Sequence, residues 1–236
     1  LRIKEDIEEK NWENVILIKN ENTVKFIINH QNTLNIKVDV NTLFKESCEK
    51  GLSELPKFLC KNAVPLKINL PPLDWNCNEA FESACNKGHS GVVEFFMENS
   101  TTLKIDIPPE NWNGNDAFKL ACTKGHSEMV EIYMEKAAIL EIDLPPQTWN
   151  GNEAFKSAIP KGQIELVRTL IKKSDQLQID LPPLFISACD KNDSVLVDIF
   201  MENVAILKVN LTPQTWNEAF RKACEKDYSQ LAETLL

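Results

Sequence analysis

The chain of 236 residues is 43% hydrophobic and 26% charged, an ordinary globular composition that excludes disordered and collagen-like classes. Its net charge of −9 and pI near 5.0 argue against a dedicated binder of nucleic acid or anionic membranes, which needs a basic footprint. No apolar run approaches the ~18 residues that cross a bilayer, and no charged-then-apolar leader opens the sequence.

In chain order the sequence is a repeat. Pro71-Pro72, Pro108-Pro109, Pro145-Pro146 and Pro182-Pro183 recur every 37 residues, as do Phe44, Phe81, Phe118 and Phe155. Phe185 follows after 30 residues and Phe220 after 35, because the loop before each is shortened. Trp12 opens a degenerate first copy, since Leu34 lies 22 residues after it, the interval that separates each later Phe from its Leu-x-Ile/Val motif. The reading is one array over 1–236 of about seven repeats, the first degenerate and the last truncated, with no separate second domain, cut from a longer protein.

Within a repeat, Phe81, Ala84 and Cys85 stand at i, i+3 and i+4, one face of a short helix. Gly51, Gly88, Gly125 and Gly162 fall where such a helix ends in a left-handed residue, with Asn192 and Asp227 in that place later. Ser53, Ser90, Ser127, Ser194 and Ser229 read as N-caps of a second helix, whose apolar rows (Val92, Val93, Phe96, Met97) bury against the first. The proline pair stops that helix, and Trp-Asn-Gly-Asn, with Gly114 and Gly151, reads as an Asn-Gly hairpin turn back to the next Phe.

Glu79-Ala-Phe-Glu-Ser-Ala-Cys-Asn-Lys-Gly-His89 resembles the Thr-Pro-Leu-His-x-Ala-Ala-x-x-Gly-His text of the ankyrin repeat, and Asn111-Trp-Asn-Gly114 occupies its Asp-x-x-Gly turn. The likeness runs from Trp12 onward. It departs where Ala80, Ala117, Ala154 and Ala219 replace the motif's Pro, where Glu82, Lys119, Lys156, Ile186 and Arg221 replace its His, and in a period about four residues over the usual ~33. The resemblance implies an all-α solenoid of stacked helix-turn-helix units with short β-hairpin loops, the added residues following the outer helix. It also implies a scaffold that binds another protein, or another segment of its own full-length chain, through a concave groove and a hairpin edge.

No catalytic constellation accompanies the repeat, so the expectation is a non-enzyme with no cofactor, no metal, no small-molecule substrate, no nucleic-acid partner and no membrane insertion. Cys48, Cys85, Cys122, Cys189 and Cys224 share one repeat position that Ile159 also takes, which marks core packing rather than ligation or cross-linking. Cys60 falls on an outer helix, and Cys77, in the place of the hairpin Gly, is expected to be the accessible thiol. Unpaired thiols favour the cytoplasm or nucleus. His89 and His126 sit in the turn and are expected to bond its backbone.

Two sets carry possible binding. Trp75, Trp112, Trp149 and Trp216 lie beside the hairpin turn, either as hot spots at a partner-binding edge or as a stacking spine. Lys50, Lys87, Lys124, Lys161, Lys191 and Lys226 end the inner helices, either as a positive ladder facing the groove or each neutralising its own helix's C-terminal dipole. The alternative function is a regulatory or substrate-recruiting module of a larger enzyme or channel. The missing loop before Phe185 predicts a gap in the hairpin edge, with any pocket nearby.

Overall fold

The computed structural model describes residues 26–31, 33, 38–66, 69–72, 75–110, 112–144, 151–203 and 212–235; Trp12 and Trp149 lie outside them. The chain divides into two compact units, Leu1–Asn113 and Gly114–Leu236. The first contains α1 (Val40–Glu49), α2 (Glu54–Lys61), α3 (Ala63–Leu66), α4 (Cys77–Lys87), α5 (Ser90–Glu98) and α6 (Ser100–Leu103). The second contains α7 (Gly114–Lys124), α8 (Ser127–Glu135), α9 (Gly151–Ala158), α10 (Ile164–Lys172), α11 (Leu181–Asp190), α12 (Ser194–Glu202), α13 (Pro213–Glu225) and α14 (Ser229–Thr234). Each Phe-bearing inner helix packs antiparallel on the outer helix that follows it, and among the described residues there is no strand.

The helix pairs follow from the apolar spacing. Phe44, Phe81, Phe118, Phe155 and Phe185 are fully buried, and the small Ala84, Ala121, Ala158 and Ala188 beside them let the outer helix approach. Gly51, Gly88, Gly125 and Gly162 end the inner turn at φ of 78°, 74°, 83° and 65°, and Asn192 and Asp227 take the same left-handed conformation at 54° and 57°. The serine caps move by one residue. His89, His126, Asp193 and Tyr228 are the N-caps, while Ser90, Ser127, Ser194 and Ser229 are the first helical residues; Ser53 alone keeps the cap position, without a side-chain bond.

The longer period is an added helical turn. After α5 the chain makes α6, then reverses at Lys104, whose φ is 52°; Glu141 and Gln178 repeat this at 52° and 50°. The following amide folds back five residues: Ile105 N–H donates to Ser100 O, Ile142 to Ala137 O and Ile179 to Ser174 O, each at 2.9 Å. This is a Schellman cap with a polar side chain where Gly is usual, at a cost of about 1–2 kcal/mol per left-handed residue. Burial of the flanking Leu103/Ile105, Leu140/Ile142 and Leu177/Ile179 offsets it, so the Leu-x-Ile motif is a cap with its hydrophobic contact.

The Asn-Gly pairs do not turn hairpins. Gly114 and Gly151 are the first residues of α7 and α9. Their lack of a Cβ serves close packing instead: one on Gly114 would lie 2.4 Å from Leu140 O, and one on Gly151 2.4 Å from Ile179 Cγ1. The Asn after each of these glycines, and after Cys77 at the equivalent place, is a clamp. Asn78, Asn115 and Asn152 accept the backbone N–H of Asp106, Asp143 and Asp180 at 3.0, 2.9 and 2.9 Å. Asn78 and Asn115 also donate to the Asp106 and Asp143 carboxylates at 3.2 and 2.9 Å. Each clamp ties the start of an inner helix to the segment 28 residues on, beyond the Schellman cap of the same repeat.

Candidate partner-binding surface

The indoles of Trp75, Trp112 and Trp216 sit half-buried, and each meets the inner-helix Phe of the preceding repeat edge-on. Ring centroids are 5.6 Å apart for Trp75–Phe44 and Trp112–Phe81, and 5.0 Å for Trp216–Phe185. Trp75 also leans on Phe96 at 6.0 Å. Such pairs add ~0.5–1.5 kcal/mol beyond area burial, so these rings join neighbouring repeats while part of each surface stays open.

The lysines divide. Lys161 donates to Thr123 O at 2.9 Å, and Lys226 donates to Asp190 O at 2.6 Å with its ammonium 3.0 Å from the Asp190 carboxylate. Both therefore satisfy the carbonyl end of the preceding inner helix, not of their own. The contacts of Lys226, with Lys222 beside it, hold the Asp190 carboxyl below the usual carboxylate range. Lys87 and Lys191 are exposed.

On the inner-helix side of the first unit is a groove of about 420 Å³. Trp75, Ala80 and Ala84 give it apolar walls, and Glu49, Glu79, Lys87 and His89 give it charge of both signs. His89 binds its repeat to the one before. Its Nε2 lies 3.2 Å from Glu49 O, and its ring fills the space over Gly51, where a Cβ would lie 2.6 Å from Nδ1. Burial lowers its pKa more than the Glu49 carbonyl raises it. Gln163 does the same in the second unit, donating to Thr123 O at 3.4 Å over Gly125. The turn residue thus bonds a neighbouring repeat's backbone as well as shaping its own loop.

The shared cysteine position is core: Cys48, Cys85, Cys122 and Cys189 are buried. Burial pushes the thiols of Cys48 and Cys122 well up, and that of Cys189 to about 11. Cys224, in the same register with no described helix stacked over it, is exposed. Cys77 is not the accessible thiol. It is the first residue of α4, 5% exposed, and burial raises its pKa to about 11. Cys60 lies on α2 as expected, its Sγ 3.6 Å from Asn99 Oδ1. Among the described residues no cluster of His, Cys, Asp and Glu could hold a metal ion, and no helix is long and apolar enough to cross a membrane.

Helix pairs with a left-handed turn, stacked by inner-helix Phe and turn-residue bonds, define a helical repeat protein. Residues 81–181 match the family model for ankyrin repeats, in three copies, and the chain carries ankyrin repeats over that stretch. No curated protein and no solved structure matches the chain. Ankyrin repeats are generally protein–protein interaction modules and typically non-catalytic.

Proposed function

We propose that the chain is a non-catalytic scaffold that binds a segment of another protein, or of its own full-length chain, in the inner-helix groove beside the Trp edge. The carrying observation is the groove of about 420 Å³ lined by Trp75 and Lys87, with apolar walls and charged groups of both signs on an acidic protein. Trp75, Trp112, Trp149 and Trp216 supply rigid contact surface with little entropy loss, and Lys50, Lys87, Lys124, Lys161, Lys191 and Lys226 supply the cationic register. Of these, Lys87 favours recognition and Lys161 and Lys226 favour structure, since their ammonium groups already hold backbone carbonyls. The absence of a catalytic motif and the unpaired thiols favour a cytoplasmic or nuclear scaffold.

The test is affinity capture from cells with quantitative mass spectrometry, comparing wild type with Lys87→Glu and Trp75→Ala. A common set of proteins lost from both variants, with folding retained by circular dichroism, supports the groove. Identical capture by all three chains rejects it.

A further inference from the structure

We infer that the cleft between the Phe155 and Phe185 repeats is a second docking site, for a peptide segment that carries two bulky apolar side chains next to a carboxylate. It lies in the second unit and does not rest on the groove at Trp75 and Lys87. The junction lacks what closes the others. Where His89 covers Gly51 and Gln163 covers Gly125, a Cβ on Gly162 would meet nothing within 4 Å. The turn residue here is Asp193, whose carboxylate accepts the Leu196 N–H of its own helix at 3.1 Å. An ionised carboxylate has no proton to donate to a neighbouring carbonyl, so the bond between repeats cannot form.

The inner helix is cut short as well. Pro160 disfavours helix at Ile159, and α9 has 8 residues where α4 and α7 have 11. Ile159, in register with the buried cysteines, is left half-buried, and among the described residues α9 and α11 are the one inner-helix pair within a unit that is not closely packed. The far end of the junction stays shut, with Phe155 and Phe200 rings 5.9 Å apart and Arg168 paired to Glu202. The two repeats therefore form a wedge that opens toward the turn.

Two cavities occupy the wedge, of about 300 and about 260 Å³, with Ile159, Asp193 and Leu196 common to both. Pro183 and Leu184 line the first and Val167 and Ile199 the second, while Ile164 and Val195 stand 37% and 53% exposed at the rim. Drug-sized ligands occupy ~300–1,000 Å³ in one enclosed space. Two cavities at or just under the low end of that range, sharing a wall, suit two side chains of one segment. The charge beside them is positive: Lys156 and Lys191 are exposed, and among the described residues neither is in an ion pair. The one carboxylate in the lining, Asp193, is taken up as a cap. An acidic residue flanking the two apolar ones completes the match.

The experiment pans a phage-displayed random peptide library on the intact chain and measures the selected peptides by fluorescence polarisation. The chains compared are wild type, Val195→Glu, the pair Lys156→Glu with Lys191→Glu, and Lys87→Glu. Peptides with Asp or Glu beside two aliphatic or aromatic residues are expected, weakened about tenfold by Val195→Glu and by the lysine pair and unaffected by Lys87→Glu. All these positions are exposed, and melting curves report that each variant folds. The proposal is overturned if no such peptides emerge, if those that do bind the cleft variants as well as wild type, or if sedimentation shows a dimer that Val195→Glu abolishes, which would give the cleft to a second copy.

Discussion

Replacing Asn115 by Ala removes one whole clamp. The amide's Oδ1 accepts the Asp143 N–H at 2.9 Å and its Nδ2 donates to the Asp143 carboxylate at 2.9 Å. A neutral hydrogen bond nets ~0.5–1.5 kcal/mol and one to a charge ~1.5–3 kcal/mol. Asp143 is exposed and Asn115 half-buried, so water replaces part of both, and the low ends of those ranges sum to about 2 kcal/mol. Alanine's better helix propensity returns up to ~0.7 kcal/mol at a position inside α7. The net loss is therefore about 1.3 kcal/mol, measured by urea unfolding followed by circular dichroism. Native-state hydrogen exchange gives a sharper readout, because the Asp143 amide loses its acceptor and should exchange about tenfold faster. A double-mutant cycle with Asp143→Ala isolates the side-chain half, since the backbone N–H bond survives that second change. Unaltered exchange at Asp143 together with a stability change under ~0.3 kcal/mol would refute the clamp.

Trp112→Ala should cost about 2 kcal/mol, below the ~3–5 kcal/mol of a fully buried aromatic, because the indole is half-buried against Phe81; a melting temperature equal to wild type would assign the ring to recognition alone. Titration with a thiol reagent should modify Cys224 first and leave Cys77, Cys48 and Cys122 unreacted until unfolding, and early labelling of Cys77 would contradict its burial. His89 has a lowered folded pKa, so the unfolded chain holds the proton more tightly. Its contribution to stability is full above the unfolded pKa near ~6.5 and is lost as pH falls through that value toward the folded pKa. His89→Gln, which copies Gln163, should flatten that part of the stability–pH curve, and an unchanged slope would place the titration elsewhere. Gly125→Ala should cost more than Gly162→Ala, since both meet left-handed strain but a Cβ on Gly125 also meets Gln163 at 2.7 Å while one on Gly162 meets open space; equal costs would contradict the open junction.

The helix pairs were legible because the Phe-x-x-Ala-Cys face and the glycine at its end are local signals of period and conformation. The Asn-Gly step misleads, since the same dipeptide serves a hairpin turn and a tightly packed helix start. Cys77 in the glycine's place was the available clue, because a turn needing positive φ tolerates Cys poorly. The Asn clamps span 28 residues and leave no local pattern. Their trace is joint occurrence: Asp106, Asp143 and Asp180 follow Asn78, Asn115 and Asn152, whereas Pro182 is followed at that distance by Asn210. Lysine spacing located the ladder without telling whose carbonyls it serves, a matter of how one repeat lies on the next. The break before Phe185 was visible as missing residues, but its widest opening depends on Asp193 and Pro160, on the turn side rather than the hairpin side.

The scaffold reading stands or falls on what touches the inner-helix groove. Site-specific photo-crosslinking in cells, with a benzophenone amino acid at Ser83 in the groove wall and at the exposed Glu94 on α5, addresses it in one comparison. Ser83 is expected to capture a defined segment of a protein, or of the full-length chain itself, and Glu94 is not. Capture of the same segment from Glu94, or no protein adduct from Ser83, would contradict the scaffold reading.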